Sequence, residues 1–322
     1  MNSFPLPSHS WHLVGTQPGP CVVILGGTHG DERAGIEVIH QLRSLFDLHT
    51  RPAGTYPMPG IAGELFLILG NPEAIRLRQR AASGQRDLNR SFIHAELNKP
   101  ATPEDSPDLI RARELAPILS SAGYLFDLHA TSSDSPPFVV CGSVTPIHRT
   151  LIPLLPVAFV LTDPSDVLAK DEGLATRGTT DAYVEAHGGT ALGYETGKEN
   201  DISRVDAVTD DVIRLLQKIG TISSSYPQPR LRRITPCPSL HQQMYALTHS
   251  VQARATEFHF HPMFREGWKT VSRDQEIGRY EDGTIELAPA DGMIVFPKAE
   301  AKIRPGGNLY YLAQFSRESY LS

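Results

Sequence analysis

The sequence predicts an α/β layer fold, a mixed and mostly parallel sheet flanked by helices, followed by a small C-terminal β domain. Two observations predict the first part. Short continuous apolar runs, the mark of strands buried on both faces, recur over the first 220 residues. Between them lie stretches with helical spacing, the alternation that βαβ units need. A third observation predicts the second part: after about residue 230 the helical spacing gives way to short β-like runs between turn signals.

The elements follow in order. Residues 21–25 (CVVIL) read as a buried strand entering Gly26-Gly27. Residues 33–46 place Ile36, Ile39, Leu42 and Leu45 on one helical face. Residues 64–69 (ELFLIL) form a strand that stops at Gly70-Asn71-Pro72. Residues 108–121 carry Leu109, Ala112, Leu115, Ala116 and Leu119 at helical spacing. Residues 124–129 (YLFDLH) and 190–195 (TALGYE) are two further strands. Residues 201–219 form a helix with the stripe Val205, Val208, Val212, Leu215, Leu216 and Ile219, ended by Gly220. Residues 98–107 and much of 50–63 read as polar loops, and 221–229 as a linker. The division is therefore 1–220 and 230–322. In the second region, turn signals stand at 279–283, 290–292 and 305–307.

Composition bounds the function. The chain has 322 residues, 30 Lys+Arg against 36 Asp+Glu, a net charge of −6 and 40% hydrophobic residues. That is enough apolar chain for a core, and it excludes wholesale disorder and a general nucleic-acid binder. The three cysteines, none in a C-x-x-C pair, exclude a Cys₄ metal site and an extensive disulfide framework. The N-terminus has no basic segment followed by an apolar run. The most apolar stretch, 151–161, has 11 residues and contains Pro153 and Pro156; a spanning helix needs about 20. The expectation is a soluble cytoplasmic protein without nucleic-acid or membrane partners; a homo-oligomer stays open.

The 13 histidines are the place to look for metal chemistry. In Gly26-Gly-Thr-His-Gly-Asp-Glu32, His29 and Glu32 lie three apart where a strand turns into a helix. His129 ends another apolar strand, and open α/β sheets gather ligands at the carboxyl ends of strands. Two histidines and a glutamate are the donor set of a catalytic zinc that keeps one open position. The plainer reading is a loop histidine, a strand-end histidine and a first-turn carboxylate favoured by the helix dipole. Asp127, two before His129, leans the same way on the strand and suits a partner to a ligand histidine. His259 and His261 read as a polar strand face rather than a second metal site, and His187 as a helix-end residue.

Residues 71–90 carry Arg76, Arg78, Arg80, Arg86 and Arg90 against Glu73 and Asp87. This local basic charge in an acidic chain points to a small anionic partner. Arg76 and Arg78 fit a solvated helix face, while Asn89 and Arg90 together suit a carboxylate and a neighbouring carbonyl.

The motifs GGTHGDE (26–32), DLNR (87–90), FDLH (126–129) and YETGK (194–198), in this order, resemble those of the succinylglutamate desuccinylase/aspartoacylase family. These are zinc amidohydrolases related to the metallocarboxypeptidases. The resemblance implies a zinc-carboxypeptidase-like domain with one Zn²⁺ per chain, held by His29, Glu32 and His129. It implies Glu195 as general acid/base, acting on a metal-bound water. For Glu195 the plainer reading is a strand-end carboxylate paired with Lys198. Arg80, Asn89 and Arg90 match substrate-binding positions; the family's further substrate arginine has no clean match here, and Arg177 is the candidate for it. Arg86 rivals Arg80, because counting back from DLNR requires a two-residue insertion. A tyrosine from the second domain, Tyr310 with Tyr311 as its rival, completes the set. The implied activity is hydrolysis of the amide bond of a small anionic N-acyl amino acid. The alternatives are a metallocarboxypeptidase acting on small peptides and a non-catalytic zinc- or ligand-binding protein of the same fold.

Overall fold

The computed structural model describes residues 5–171, 178–223 and 241–316. Strands β1 (Ser10–Val14) and β2 (Gln17–Gly26) lead into helix α1 (Arg33–Leu45). Strands β3 (Gly54–Pro57) and β4 (Ala62–Leu69) lead into α2 (Pro72–Leu77). Helices α3 (His94–Leu97) and α4 (Pro107–Ser121) precede β5 (Tyr124–Thr131). Next come β6 (Phe138–Cys141), α5 (Pro146–Leu151), β7 (Phe159–Thr162), α6 (Val167–Asp171) and α7 (Thr180–Ala186). Strand β8 (Thr190–Lys198) and helix α8 (Val205–Lys218) follow. The C-terminal part holds β9 (Gln243–Gln252), β10 (Phe258–Phe260), β11 (Lys269–Val271), β12 (Glu276–Tyr280), β13 (Ile285–Leu287), β14 (Gly292–Val295) and β15 (Asn308–Phe315).

Twelve of these strands form one sheet in the order β11-β14-β15-β9-β7-β6-β8-β5-β2-β4-β1-β3. Among the described residues, six of the eight pairings from β9 to β3 are parallel, as the alternating pattern predicts. The pairings from β9 to β11 are antiparallel, and β10, β12 and β13 form a separate antiparallel sheet. The C-terminal region continues the main sheet through the parallel pairing of β9 with β7. No helix among the described residues is long and apolar enough to cross a membrane.

The continuous apolar runs exist because the central strands are covered on both faces. Val22, Ile24, Leu65, Leu67, Phe126 and Leu192 pack with Ile39 and Leu42 of α1 and Val208 and Val212 of α8. The alternate residues Val23, Leu25, Phe66, Ile68, Leu125 and Ala191 pack with Leu115 and Leu119 of α4 and Val184 of α7. Each such side chain removed from water is worth about 1.5–3 kcal/mol before the entropy of ordering it. Helix α1 lies close on the sheet: a Cβ on Gly35 would stand 2.7 Å from the Leu128 oxygen. That approach fixes the helix start directly behind the His29 loop.

Several elements depart from the sequence reading. Residues 54–57 form an edge strand inside the expected 50–63 loop; its side chains alternate between half-buried and exposed, so no apolar run marks it. Helix α8 starts at Val205 rather than 201, because Asp201 accepts from the Ser203 N–H at 2.8 Å and holds a turn there. Gly220 does end it, at φ +79°. The apolar stretch 151–161 divides into a short 3₁₀ turn and the start of β7. Most of the expected linker lies outside the described residues.

His148 joins α5 to the central sheet. It is 1% exposed. Its Nδ1 accepts from the Thr145 N–H at 3.1 Å, and its Nε2 donates to the Ala191 carbonyl at 2.9 Å. Burial lowers its pKa, against the raising effect of the Ala191 contact. The unfolded chain therefore takes up a proton near pH 6.5, where the folded chain resists it, and stability falls as pH drops through that range. Urea unfolding between pH 7.5 and 5.5 is expected to show a steeper loss for the wild type than for His148→Gln, by up to about 1.4 kcal/mol per pH unit.

Candidate active site

The site lies at the carboxyl edge of β2, β5 and β8. Beyond β2 the chain turns at Gly27, with φ +71°. The loop is pinned by Asn71 N–H on the Gly27 carbonyl at 2.9 Å and Gly30 N–H on the Gln79 carbonyl at 2.9 Å. Gly30 passes so close to α2 that a Cβ there would stand 2.0 Å from the Ala74 carbonyl. The loop delivers His29 and Glu32, and β5 delivers His129. On β8, Glu195 is the registered neighbour of His129.

His29, Glu32 and His129 are buried, and their donor atoms lie within 4.8 Å of one another. Glu32 sits between the two imidazoles. Its Oε1 is 2.6 Å from His29 Nδ1, and its Oε2 is 3.0 Å from His129 Nδ1. The Ala130 N–H also donates to Oε2 at 3.0 Å. Both histidines thus turn Nδ1 inward and Nε2 outward. His29 Nε2 meets Asp87 Oδ1 at 2.9 Å, and His129 Nε2 meets Asp127 Oδ2 at 3.1 Å. Asp127, the anticipated partner of a ligand histidine, also accepts from Thr28 at 3.2 Å and Thr180 at 2.5 Å.

The acids around the two imidazoles favour positive charge on them. Burial works most strongly against charging His129, yet Asp127 and Glu32 outweigh it and hold its pKa well above the usual value. On His29, burial and Arg80 oppose the proton, and Glu32 and Asp87 overcome both. Glu32 is held far below the carboxylate range by the two histidines despite its burial. Two imidazoles and a carboxylate with aligned donors, each imidazole backed by a second carboxylate, are a fitting set for Zn²⁺.

Glu195 has the opposite environment. Its Oε2 is buried with no hydrogen-bond partner among the described residues. Burial pushes its pKa up to about 7, with Glu32 adding and His129 subtracting. Lys198 does not pair with it; that ammonium meets Asp134 at 2.9 Å.

The trio and Glu195 line a cavity of about 470 Å³, together with Arg80, Asn89 and Arg90. Arg80 donates through Nε and Nη2 to Asp87 Oδ2, at 3.1 and 2.6 Å. Arg90 Nη1 donates to the Asn89 carbonyl at 2.8 Å. Asn89 accepts from the Thr180 N–H at 2.9 Å. Arg86 is not on the cavity wall; its backbone N–H binds Asp108. Tyr310 is also off the wall: it is fully buried among Phe260, Leu309 and Ile303. Its neighbour on β15, Tyr311, faces the cavity, because successive strand residues point to opposite faces. Arg177 lies outside the described residues. His259 is exposed on β10 beside Glu300 at 3.3 Å, while His261 caps a short 3₁₀ turn after the strand. His187 ends α7, as its position before Gly188-Gly189 suggests.

Among the polar cavity residues whose role sequence did not show are Asp87 as partner of His29, Thr180, and two lysines of the C-terminal region, Lys298 and Lys302. Asp87 was visible within DLNR, but only as a charge offsetting the arginines. Lys302 bridges Asp31 at 2.9 Å and Glu199 at 2.6 Å.

A family model described as the succinylglutamate desuccinylase/aspartoacylase catalytic domain matches residues 18–215. The chain belongs to this family. Sequence relatives of this desuccinylase/aspartoacylase chain include a Xenopus tropicalis protein named N-acyl-aromatic-L-amino acid amidohydrolase (carboxylate-forming), 36% identical over 118 residues. A probable aspartoacylase of Acaryochloris marina is 33% identical over 115 residues. Each match covers 35% of this chain, and the chain spans about a third of the length of these relatives, 34% and 35%. Among solved structures, a succinylglutamate desuccinylase/aspartoacylase from Rhodobacter sphaeroides aligns over 95% of this chain and 88% of its own, with TM-score 0.68 and 19% identity. Murine aminoacylase 3 aligns over 93% and 96%, with TM-score 0.68 and 18% identity. These two establish the shared family fold.

Metal analysis of freshly purified protein is expected to find about one zinc per chain, lost in His29→Ala. Asp127→Asn should keep the metal but bind it about 10–100-fold more weakly in competition with a chromophoric chelator. Zinc-free wild type would refute the metal assignment.

Proposed function

We propose that this protein is a zinc-dependent amidohydrolase that releases a carboxylic acid and a free amino acid from an N-acyl amino acid. One observation carries the reading. A half-buried carboxylate whose Oε2 is buried with no hydrogen-bond partner among the described residues, Glu195, shares one cavity with a His-Glu-His donor set. A structural carboxylate would be paired, so an orphaned one at this position suits proton transfer.

Zinc held by His29, Glu32 and His129 would supply a Lewis acid for the amide carbonyl and acidify the attacking water. The chain's own residues do the rest. Glu195 takes a proton from the water and returns it to the leaving amine, and a pKa pushed up to about 7 suits both transfers. Asp87 and Asp127 hold the two imidazoles in one tautomer and orientation. Asn89 and Arg90 receive the substrate carboxylate. We assign zinc and Glu195 to residues 1–220, and the outer wall, with Phe296, Lys298, Lys302 and Tyr311, to residues 230–322. In support, the family match stops at residue 215.

The names of the relatives agree on the amide of an N-acyl amino acid and differ in the amino acid. In this cavity Val140, Leu168, Phe296 and Tyr311 give one wall an apolar character. Gly193, two residues before Glu195 on the same face of β8, keeps that side open. A Cβ there would meet only Val140, at 3.4 Å from its oxygen and 3.5 Å from its Cβ, which is ordinary contact. The fold does not require a glycine at this position; the cavity gains from it.

A release assay over N-acetyl, N-succinyl and N-formyl amino acids, with and without chelator, tests the activity. The expected outcome is chelator-sensitive release of amino acid, with kcat lowered about 10²–10⁴-fold in Glu195→Gln. Unchanged turnover in that variant would overturn the assignment. Gly193→Ala is expected to keep stability within about 1 kcal/mol of wild type. It should lower kcat/KM more for bulky substrates than for the smallest.

A further inference from the structure

We infer that Lys298 is a further substrate-binding residue, whose ammonium takes a carboxylate of the substrate. The inference rests on the N-acyl amino acid reading and extends it to a residue contributed by the C-terminal region. Lys298 stands between β14 and β15. Its backbone N–H donates to the Leu309 carbonyl at 2.8 Å, and its half-buried side chain lines the cavity.

The charges on the cavity wall set Lys298 apart. Arg80 is neutralised by Asp87 and lies 3.7 Å from Glu32. Lys302 is neutralised twice, by Asp31 and Glu199. Arg90 already donates to the Asn89 carbonyl. Lys298 has no hydrogen bond or ion pair from its ammonium to any described residue, yet Arg80, Lys302 and Arg90 all act on it as repelling charges. Burial depresses its pKa first, Arg80 and Lys302 add to that, and Asp87 is the opposing attraction. A lysine that only supported the fold would direct its ammonium to solvent or to an acid, as Lys198 and Lys269 do here. An ammonium kept on a partly desolvated wall among other cations is completed by an anion that arrives with the ligand.

A carboxylate has two sources in this substrate class: the amino acid or a dicarboxylic acyl group. Three probes separate them. N-acetyl-L-phenylalanine has only the amino-acid carboxylate, N-succinyl-L-phenylalaninamide only the acyl carboxylate, and N-acetyl-L-phenylalaninamide has neither. Calorimetric titration of zinc-loaded Glu195→Gln, in which turnover is slowed about 10²–10⁴-fold, compares Lys298 with Lys298→Met and Lys298→Arg in that background. The expected result is a loss of about tenfold or more in affinity for one carboxylate probe in Lys298→Met. Affinity for the neutral probe should stay unchanged, and Lys298→Arg should recover most of the loss. The probe that loses affinity names the carboxylate source. Equal loss for all three probes, no loss for either carboxylate probe, or carboxylate probes binding no better than the neutral one would each overturn the inference. Lys298-dependent binding in a wild type that releases no amino acid would instead overturn the deacylase reading and leave this site standing.

Discussion

Everything in the site depends on one buried carboxylate placed between two imidazoles. Glu32 gives one oxygen to His29 and the other to His129 and the Ala130 N–H. A lone ionised carboxylate at that depth would be strongly disfavoured. It is tolerated because all of its partners are in place and because the outer nitrogens of the histidines rest on Asp87 and Asp127. The contact also closes the architecture. It fastens the loop after β2 to the end of β5, and α1 cannot drift from the sheet without breaking it.

The contrast between Glu32 and Glu195 shows how environment assigns roles to like groups. Both are carboxylates at the same sheet edge, Glu32 fully buried and Glu195 half-buried with its Oε2 out of solvent. Glu32 has two imidazoles and the Ala130 N–H to favour its charge, and it is held far below its ordinary pKa. Glu195 keeps an oxygen without a partner among the described residues, and burial dominates. One is fixed as an anion and the other is poised to exchange a proton. The chain's net charge of −6 says nothing of this arrangement, in which Glu32, Asp87 and Asp127 are engaged by the two histidines and Arg80 while Lys298 faces the cavity.

The legible parts of the molecule are those in which local pattern and tertiary environment agree. Central strands buried on two faces write themselves as apolar runs, and α1, α4 and α8 as stripes. His29 with Glu32 could be paired from spacing, and His129 from its place at a strand end. Edge strands such as β3 show alternation too short to stand out from loop. Tyr310 and Tyr311 are adjacent, and only the phase of β15 against its neighbours decides which one meets the cavity; the phase is set by pairing with β9, which sequence does not display. The partnership of Asp87 with His29 spans 58 residues and leaves no local trace. Lys298 and Lys302 lie in a region whose sequence carries no motif, and their meaning comes only from what they face.

The Lys302 bridge has a temporal side. It joins Asp31 and Glu199 across 271 and 103 residues. Contacts of such separation form late, since long loops must close before they are rewarded. A nascent chain that has emerged through α8 already contains every proposed metal ligand and Glu195. It still lacks the outer wall and the cation that ties that wall to the two loops bearing Asp31 and Glu199. Assembly of the metal donors and enclosure of the cavity are thus separate events in the life of the chain, and the second waits for the last strands of the sheet.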